Sequence, residues 1–251
     1  MTEPSTSPDG VLLGVDLGGS TIRAVITGPG GVLHRSTARH TARGYPAVLA
    51  LVEQTVTRCR EALGQLAPGP RPVRAVGLAV AGWLSADREQ LLAAANLGVA
   101  DVPLRRDLER RLGLPVTVDN DGNAAALAEA RAGAGMHARM LVMLTLGTGV
   151  GGGIVASGTL LTGAAGLAGE LGHLPSAPSA ADGPPCACGG RGCLEVYASG
   201  PAVARQAARA ANPGTQPAAG PGSPPLTAED VVVAARAGDP ACAWVLAAAG
   251  E

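Results

Sequence analysis

The stretch Val11–Thr27, VLLGVDLGGSTIRAVIT, reads as two short apolar strands, Val11 to Asp16 and Ile22 to Thr27, joined by the turn Gly18-Gly19-Ser20. A second stretch, Leu146–Gly153 or LGTGVGGG, repeats the pattern: the apolar run Met140 to Leu146 precedes it and a strand from Gly153 to Ala156 closes it. Strand, glycine turn, strand, met twice in one chain, predicts two related α/β lobes rather than one doubly wound sheet. Outward from these turns, Val32 to Arg39 reads as a third strand and Tyr45 to Leu66 as a helix that the run Pro68 to Pro72 ends. Val73 to Val80 is a buried strand, Val102 to Leu112 an arginine-rich amphipathic helix, Val116 to Asp119 a strand and Asn123 to Ala132 an alanine-rich helix. Asn212 to Pro225 is a Pro/Gly-rich loop, Thr227 with Asp230 spells a capping box, and Asp239-Pro240 opens a last helix. The division expected is a disordered N-terminus over 1–10, a first lobe over 11–119 and a second over 120–251.

With 47% hydrophobic residues the 251-residue chain can bury a large core, which must be aliphatic because Phe is absent and Trp and Tyr number two each. Nineteen basic residues, all Arg, against twenty acidic ones give a net charge of −1, which argues against nucleic acid or an anionic membrane as partner. The first ten residues, MTEPSTSPDG, lack the basic and apolar regions of a signal peptide, and no apolar run reaches transmembrane length. Closely spaced cysteines without a secretion signal favour a reducing, cytoplasmic setting and metal binding over disulfides. Cys59 and Cys242 lie in helix-like stretches and read as core residues.

Three of the five cysteines fall in the segment Gly169–Glu195, GELGHLPSAPSAADGPPCACGGRGCLE. His173, Cys186, Cys188 and Cys193 make one imidazole and three thiolates, a closed tetrahedral zinc set, and the glycines let the backbone bring them together. The competing reading is a glycine-rich loop whose cysteines are incidental or disulfide-bonded. One intervening residue is a poor spacing for a disulfide, and a third cysteine is left over. Glu170 and Glu195 flank the set. A histidine that gives one ring nitrogen to zinc has the other fixed in direction. Two carboxylates and an imidazole edge held this way suit a ligand covered in hydroxyl groups, a sugar.

Glycine turns with adjacent hydroxyls admit phosphate oxygens to backbone N–H groups. Gly18, Gly19, Ser20 and Thr21 supply one such turn, and Gly147, Thr148, Gly149 and Gly151 the other. Asp16, at a strand end, is placed to hold Mg²⁺. Neither turn is a Walker A motif, which needs a lysine. Each alone is as compatible with an ordinary hairpin as with a phosphate clamp; one in each lobe suits ATP. Asn120-Asp121 follows a strand and precedes a helix, so Asp121 points into the crevice where α/β folds bind ligands. There it can act as general base on a sugar hydroxyl. The alternative reading is a helix cap, which Asn and Asp favour in any case.

These pieces together resemble the ROK family, which groups bacterial sugar kinases, notably ATP-dependent glucokinases, with sugar-responsive repressors. The matching motifs are Asp16 to Arg23, Asn96-Leu97, Asn120-Asp121, Leu146 to Gly153, Gly169 to His173 and Cys186 to Glu195. The resemblance implies a two-lobed actin/hexokinase-like (ribonuclease H-like) ATPase fold, usually assembled as a homo-oligomer, dimer or tetramer. It implies Asp121 as catalytic base and Asn120, Glu170, His173 and Glu195 as sugar ligands, with His173 also holding zinc beside Cys186, Cys188 and Cys193. The reaction implied is phosphorylation of a hexose by ATP, glucose first, with N-acetylglucosamine or N-acetylmannosamine as alternatives. Ser20 stands where the family usually has Thr, and Ala81-Gly82-Trp83 replaces the usual Pro-Gly near the sugar. The chain reaches Glu251 without the further strand, glycine turn and closing helices that contact adenosine in family kinases. The second lobe is therefore expected to be incomplete, with sheet edge and apolar surface uncovered. Two other functions compete. A sugar-responsive regulator needs a helix-turn-helix, whereas ten residues precede Val11 and the charge is not basic. A non-catalytic sugar-binding remnant is the other.

Overall fold

The computed structural model describes residues 10–66, 71–176, 182–211 and 226–250. The expected N-terminal disorder, most of the Pro68 to Pro72 run and the Pro/Gly-rich loop 212–225 lie outside the described residues. Two units make up the rest. One comprises the described residues up to Met140 with Val155–Ala168; the other comprises Leu141–Ile154 and those from Gly169 onward.

The first unit is built on a five-stranded sheet. Its strands are β1 (Val11–Leu17), β2 (Thr21–Gly28), β3 (Gly31–Arg39) and, after α1 (Tyr45–Leu66), β4 (Val73–Val80). A small antiparallel sheet follows, of β5 (Trp83–Leu84), β6 (Leu91–Ala94) and β7 (Val99–Val102). Then come α2 (Leu104–Leu112), the fifth strand β8 (Val116–Asn120) and α3 (Asp121–Ala132). The main sheet runs β3-β2-β1-β4-β8, with β1 antiparallel to β2, β2 to β3, and β1, β4 and β8 mutually parallel. Side chains alternate across a strand. In β1, Val11, Leu13, Val15 and Leu17 are buried and share one aliphatic core with Val48, Val52 and Val56 of α1 and Leu104 and Leu108 of α2. The other positions of β1 and β4, among them Gly14, Asp16, Gly77 and Ala79, line a cavity of about 720 Å³ that α3 borders through Leu127 and Arg131.

Two differences from the sequence reading have plain causes. The segment from Trp83 to Val102, given no element, holds three strands of two to four residues, too short to show a periodicity. The boundary expected at residue 120 lies elsewhere, because β8 hydrogen-bonds to β4 from Val76↔Val116 to Val80↔Asn120 and α3 packs on both strands. The crossing instead occurs within β9 (Met140–Leu146) and β10 (Val150–Ala156).

In the second unit Gly147 to Gly149 joins β9 to β10. Short β11 (Thr159–Leu160) pairs with Val155 and Ala156 at the far end of β10, within the first unit. Later elements are α4 (Glu195–Ala198), α5 (Gly200–Ala211), α6 (Ala228–Arg236) and α7 (Pro240–Gly250), whose small core is Val203, Ala207, Val231 and Val245. The capping box at Thr227 and Asp230 forms as spelled, and Asp239 caps α7 by accepting from Cys242 N–H at 2.9 Å. β9 is an outer strand of the three-stranded sheet β11-β10-β9, and Met140, Val142, Leu144 and Leu146 are exposed along it. Among the described residues no single helix is long and apolar enough to cross a membrane.

The alternation in β1 supplies a direct test. Leu13 is 1% exposed and its neighbour Leu12 is 50% exposed. Leu13→Ala should cost about 2–5 kcal/mol in urea unfolding, whereas Leu12→Ala should stay within about 0.5 kcal/mol of the parent.

Candidate active site and metal centre

Three parallel strands deliver the polar residues of the first unit to one edge of its sheet. Register pairs Asp16 with Ala79 and Leu17 with Val80 across β1 and β4, then Ala79 with Asp119 and Val80 with Asn120 across β4 and β8. The carboxyl ends of all three strands therefore lie level, and the turn Gly18 to Ser20, the segment Ala81-Gly82 and the start of α3 emerge side by side. Ligands of open α/β sheets bind at such an edge.

Each strand end is held by specific bonds. At β1, Gly18 N–H donates to the Thr21 carbonyl at 3.0 Å, closing the glycine turn. His40, just past β3, grips the same turn: its backbone N–H donates to Ser20 O at 3.0 Å, and its Nε2 lies 3.0 Å from Gly18 O. Ala42 N–H donates to His40 Nδ1 at 3.3 Å, so Nδ1 is the acceptor and Nε2 carries the proton given to Gly18. The backbone of Gly19 lies against Asn96, where a Cβ would come 2.7 Å from the Asn96 Cβ. Asp16 pairs with Arg23 at 2.8 Å, residues directly opposed in β1 and β2.

At β8, Asn120 is the N-cap of α3: its Oδ1 accepts from Gly122 N–H at 2.8 Å and Asn123 N–H at 3.1 Å. Its Nδ2 donates to the Gly82 carbonyl at 3.2 Å, which ties the Ala81-Gly82-Trp83 segment to the cap. The capping role weighed for Asn120-Asp121 thus falls to Asn120. Asp121 is the first residue of α3, where the helix dipole favours a negative charge. Burial nevertheless pushes its carboxyl upward from the usual range, the neighbouring Asp16 carboxylate pushes the same way, and the Gly122 N–H pulls back. A general base profits from such a rise toward working pH.

In the second unit, Glu170 precedes a single 3₁₀ turn, Leu171–His173. The turn lies so close to β10 that a Cβ on Gly172 would collide with the Val150 carbonyl, which is why glycine stands in the Gly169 to His173 motif. Nε2 of His173 is 3.8 Å from the Glu170 carboxylate, and its Nδ1 is 3.6 Å from Cys186 Sγ. Cys188 and Cys193 Sγ atoms are 3.7 Å apart, and donor atoms of His173, Cys186, Cys188 and Cys193 all lie within 4.8 Å of one another. A tetrahedral zinc ion with Zn–S of about 2.3 Å and Zn–N of about 2.0 Å requires S···S of about 3.8 Å and S···N of about 3.5 Å. The donor set fits such an ion in chemistry, and the Cys188–Cys193 and His173–Cys186 separations match its spacing. Burial, and after it the nearby Cys188 and Cys186 thiols, push the Cys193 thiol up to about 12; thiols this crowded do not ionise together without a cation among them.

Glu195 opens α4 and accepts from Val150 N–H at 2.9 Å, with its carboxylate against Gly149. Gly147 O accepts from Gly200 N–H at 2.8 Å at the start of α5. The second glycine turn is thereby held by Glu195 and Gly200. Gly147, Thr148 and Gly149 form the turn, whereas Gly151 lies inside β10; the run of glycines hid the point where the strand begins.

Sequence reasoning missed His40, Arg23 and Arg88. Arg23 was legible as the residue facing Asp16 in a two-strand hairpin. His40 grips a turn about twenty residues away, and nothing local announces it.

The raised Asp121 pKa has a sign that can be checked. A carboxyl harder to ionise when folded makes its native state relatively more stable below the unfolded pKa of about 3.9, and this advantage is lost as pH rises through the folded value. Asp121→Asn should therefore raise the unfolding temperature at about pH 7, and the gain should shrink toward about pH 4.

The ROK family profile matches residues 12–251. A glucokinase of Halalkalibacterium halodurans is 37% identical over 198 residues, 77% of this chain and 58% of that protein. An N-acetylmannosamine kinase of Yersinia pseudotuberculosis is 37% identical over 192 residues, 76% of this chain and 62% of that one. The chain thus spans about three fifths of the length of these relatives. The crystal structure of a ROK family glucokinase from Streptomyces griseus with glucose and AMPPNP superposes with a TM-score of 0.77 at 36% identity, covering 94% of this chain and 74% of that one. By sequence and by its actin/hexokinase-like fold, the chain belongs to the ROK family.

Proposed function

We propose that the protein transfers the γ-phosphoryl group of ATP to a hydroxyl of a hexose, with glucose as substrate. The observation that carries this reading is Asp121: a carboxylate at the first position of α3, beside Asp16, with its pKa raised by burial. The sugar hydroxyl oxygen attacks the γ-phosphorus, the bond from phosphorus to the β,γ-bridging oxygen breaks, and ADP leaves with that electron pair. The hydroxyl proton passes to an Asp121 carboxylate oxygen. Asn120 orients the sugar through its amide, and Glu170, His173 Nε2 and Glu195 hydrogen-bond the remaining hydroxyls. The glycine turns Gly18 to Thr21 and Gly147 to Gly149, the second running into Gly151 of β10, present backbone small enough for phosphate oxygens to approach. Magnesium held by Asp16, which Arg23 otherwise neutralises, supplies charge compensation on the phosphates.

Zinc in the His173, Cys186, Cys188, Cys193 set has a structural part. With Nδ1 on the metal side, His173 presents Nε2 in a fixed direction beside Glu170. The assembly implied by the family, a dimer or tetramer in the cytoplasm, belongs to the same proposal.

ATP-dependent ADP release should be seen with glucose and compared with N-acetylglucosamine and N-acetylmannosamine. Asp121→Asn should lower kcat by about 10²–10⁴-fold while leaving glucose affinity within a few-fold; equal turnover by that variant refutes the assigned base. For the metal, elemental analysis should give about one zinc per chain. Cys188→Ser should lose it and weaken glucose binding, and metal-free protein with unaltered sugar affinity would contradict the part given to zinc.

A further inference from the structure

Three non-glycine residues have positive φ among those described: Asp101, Ser157 and Arg88. Short polar residues tolerate this backbone region, but a long one there needs a reason. Arg88, at φ 62, lies in the loop between β5 and β6. That loop is closed mainly by other bonds: Ser85 N–H donates to Gln90 O at 3.0 Å, Gln90 N–H to Ser85 Oγ at 3.0 Å, Arg88 N–H to Ser85 O at 2.9 Å, and Glu89 pairs with Arg105 at 2.8 Å.

The Arg88 guanidinium turns inward, 14% exposed, and joins three segments of the first unit. Nη1 donates to Ser85 O at 3.1 Å and to Gly166 O at 3.4 Å. Nε pairs with Asp119 Oδ1 at 3.3 Å. A side chain on Gly166 would intrude on this arrangement, with a Cβ 2.8 Å from Arg88 Nη1. The same Asp119 oxygen accepts from Asn120 N–H at 2.8 Å and from Nδ2 of the buried Asn123 at 3.0 Å. One oxygen thus gathers the cation, the backbone of the cap residue and the first turn of α3.

We propose that Arg88 is a positioning residue for Asn120 and Asp121, acting through Asp119. Its guanidinium holds the Asp119 carboxylate in place, and Asp119 in turn fixes the backbone entering α3. A left-handed backbone at residue 88 is what lets the guanidinium reach from the loop to the end of β8. This inference rests on the phosphotransfer reading only where turnover is concerned; the bond network is independent of it.

The variant to make is Arg88→Gly, because glycine suits φ 62 and removes the guanidinium without adding backbone strain. Amide hydrogen exchange at Asn120, Gly122 and Asn123 should quicken by about tenfold or more, while exchange in β1 and α1 stays unchanged. In turnover, kcat should fall by up to about 10²-fold with the KM for ATP within a few-fold. Arg88→Lys, which keeps the ion pair but not the two carbonyl bonds, should recover part of both effects. Unchanged exchange at those three amides overturns the proposal, as does uniform quickening throughout the first unit, which marks a merely structural role. Wild-type protein that turns over no hexose counts against phosphotransfer and leaves exchange to decide the positioning. Wild-type turnover matched by Arg88→Gly overturns the positioning alone.

Discussion

Parallel hydrogen bonding of β1, β4 and β8 is the constraint from which the first unit follows. It sets Leu17, Val80 and Asn120 at one level and brings out three connections at one edge. Parallel strands need long crossovers. Those crossovers are α1, which covers the aliphatic face, and the β5 to α2 segment, which brings Gly82 and Arg88 beside the start of α3. A slip of one residue between β4 and β8 would turn Asp119 and Asn120 to opposite faces and break the Gly82 bond and the Arg88 ion pair together.

Asp121 works against stability where it stands. Its carboxyl is buried beside Asp16, and the Gly122 N–H, its own backbone N–H, the Asn120 side chain and the helix dipole favour its charge without offsetting the burial. The surrounding polar groups also hold structure: Asn120 caps α3, Asp119 gathers three donors and His40 grips the glycine turn. A buried carboxyl that is costly to ionise lowers stability at neutral pH, which is the cost the phosphotransfer proposal assigns to reaction.

The second unit solves a different problem, since its loops offer few apolar contacts to fix them. Its polar residues are fixed by local closure instead: the Gly172 turn pressed on β10, the Glu195 bond to Val150 N–H and the convergence of one imidazole and three thiols. His173 belongs to two neighbourhoods at once, Nδ1 toward Cys186 and Nε2 toward Glu170. A change at the cysteines is therefore felt at the Glu170 carboxylate.

The sequence by itself determined what is local. Helix Tyr45–Leu66 and strands Val73–Val80 and Met140–Leu146 stand as their periodicity reads, and the Thr227 capping box forms as spelled. The clustering of His173 with the three cysteines was likewise legible, because ligands on one short, glycine-rich segment need little else to meet. Tertiary structure alone decided which strands pair, and so that α3 belongs with the first unit beside β8. It decided that Asn120 is the cap while Asp121 is the buried carboxyl, a distinction between adjacent residues of similar propensity. It also decided the grip of His40 on Gly18 and of Arg88 on Asp119. Those partners lie far apart in the chain, and only sheet register, a long-range property that no local pattern encodes, brings them within bonding distance.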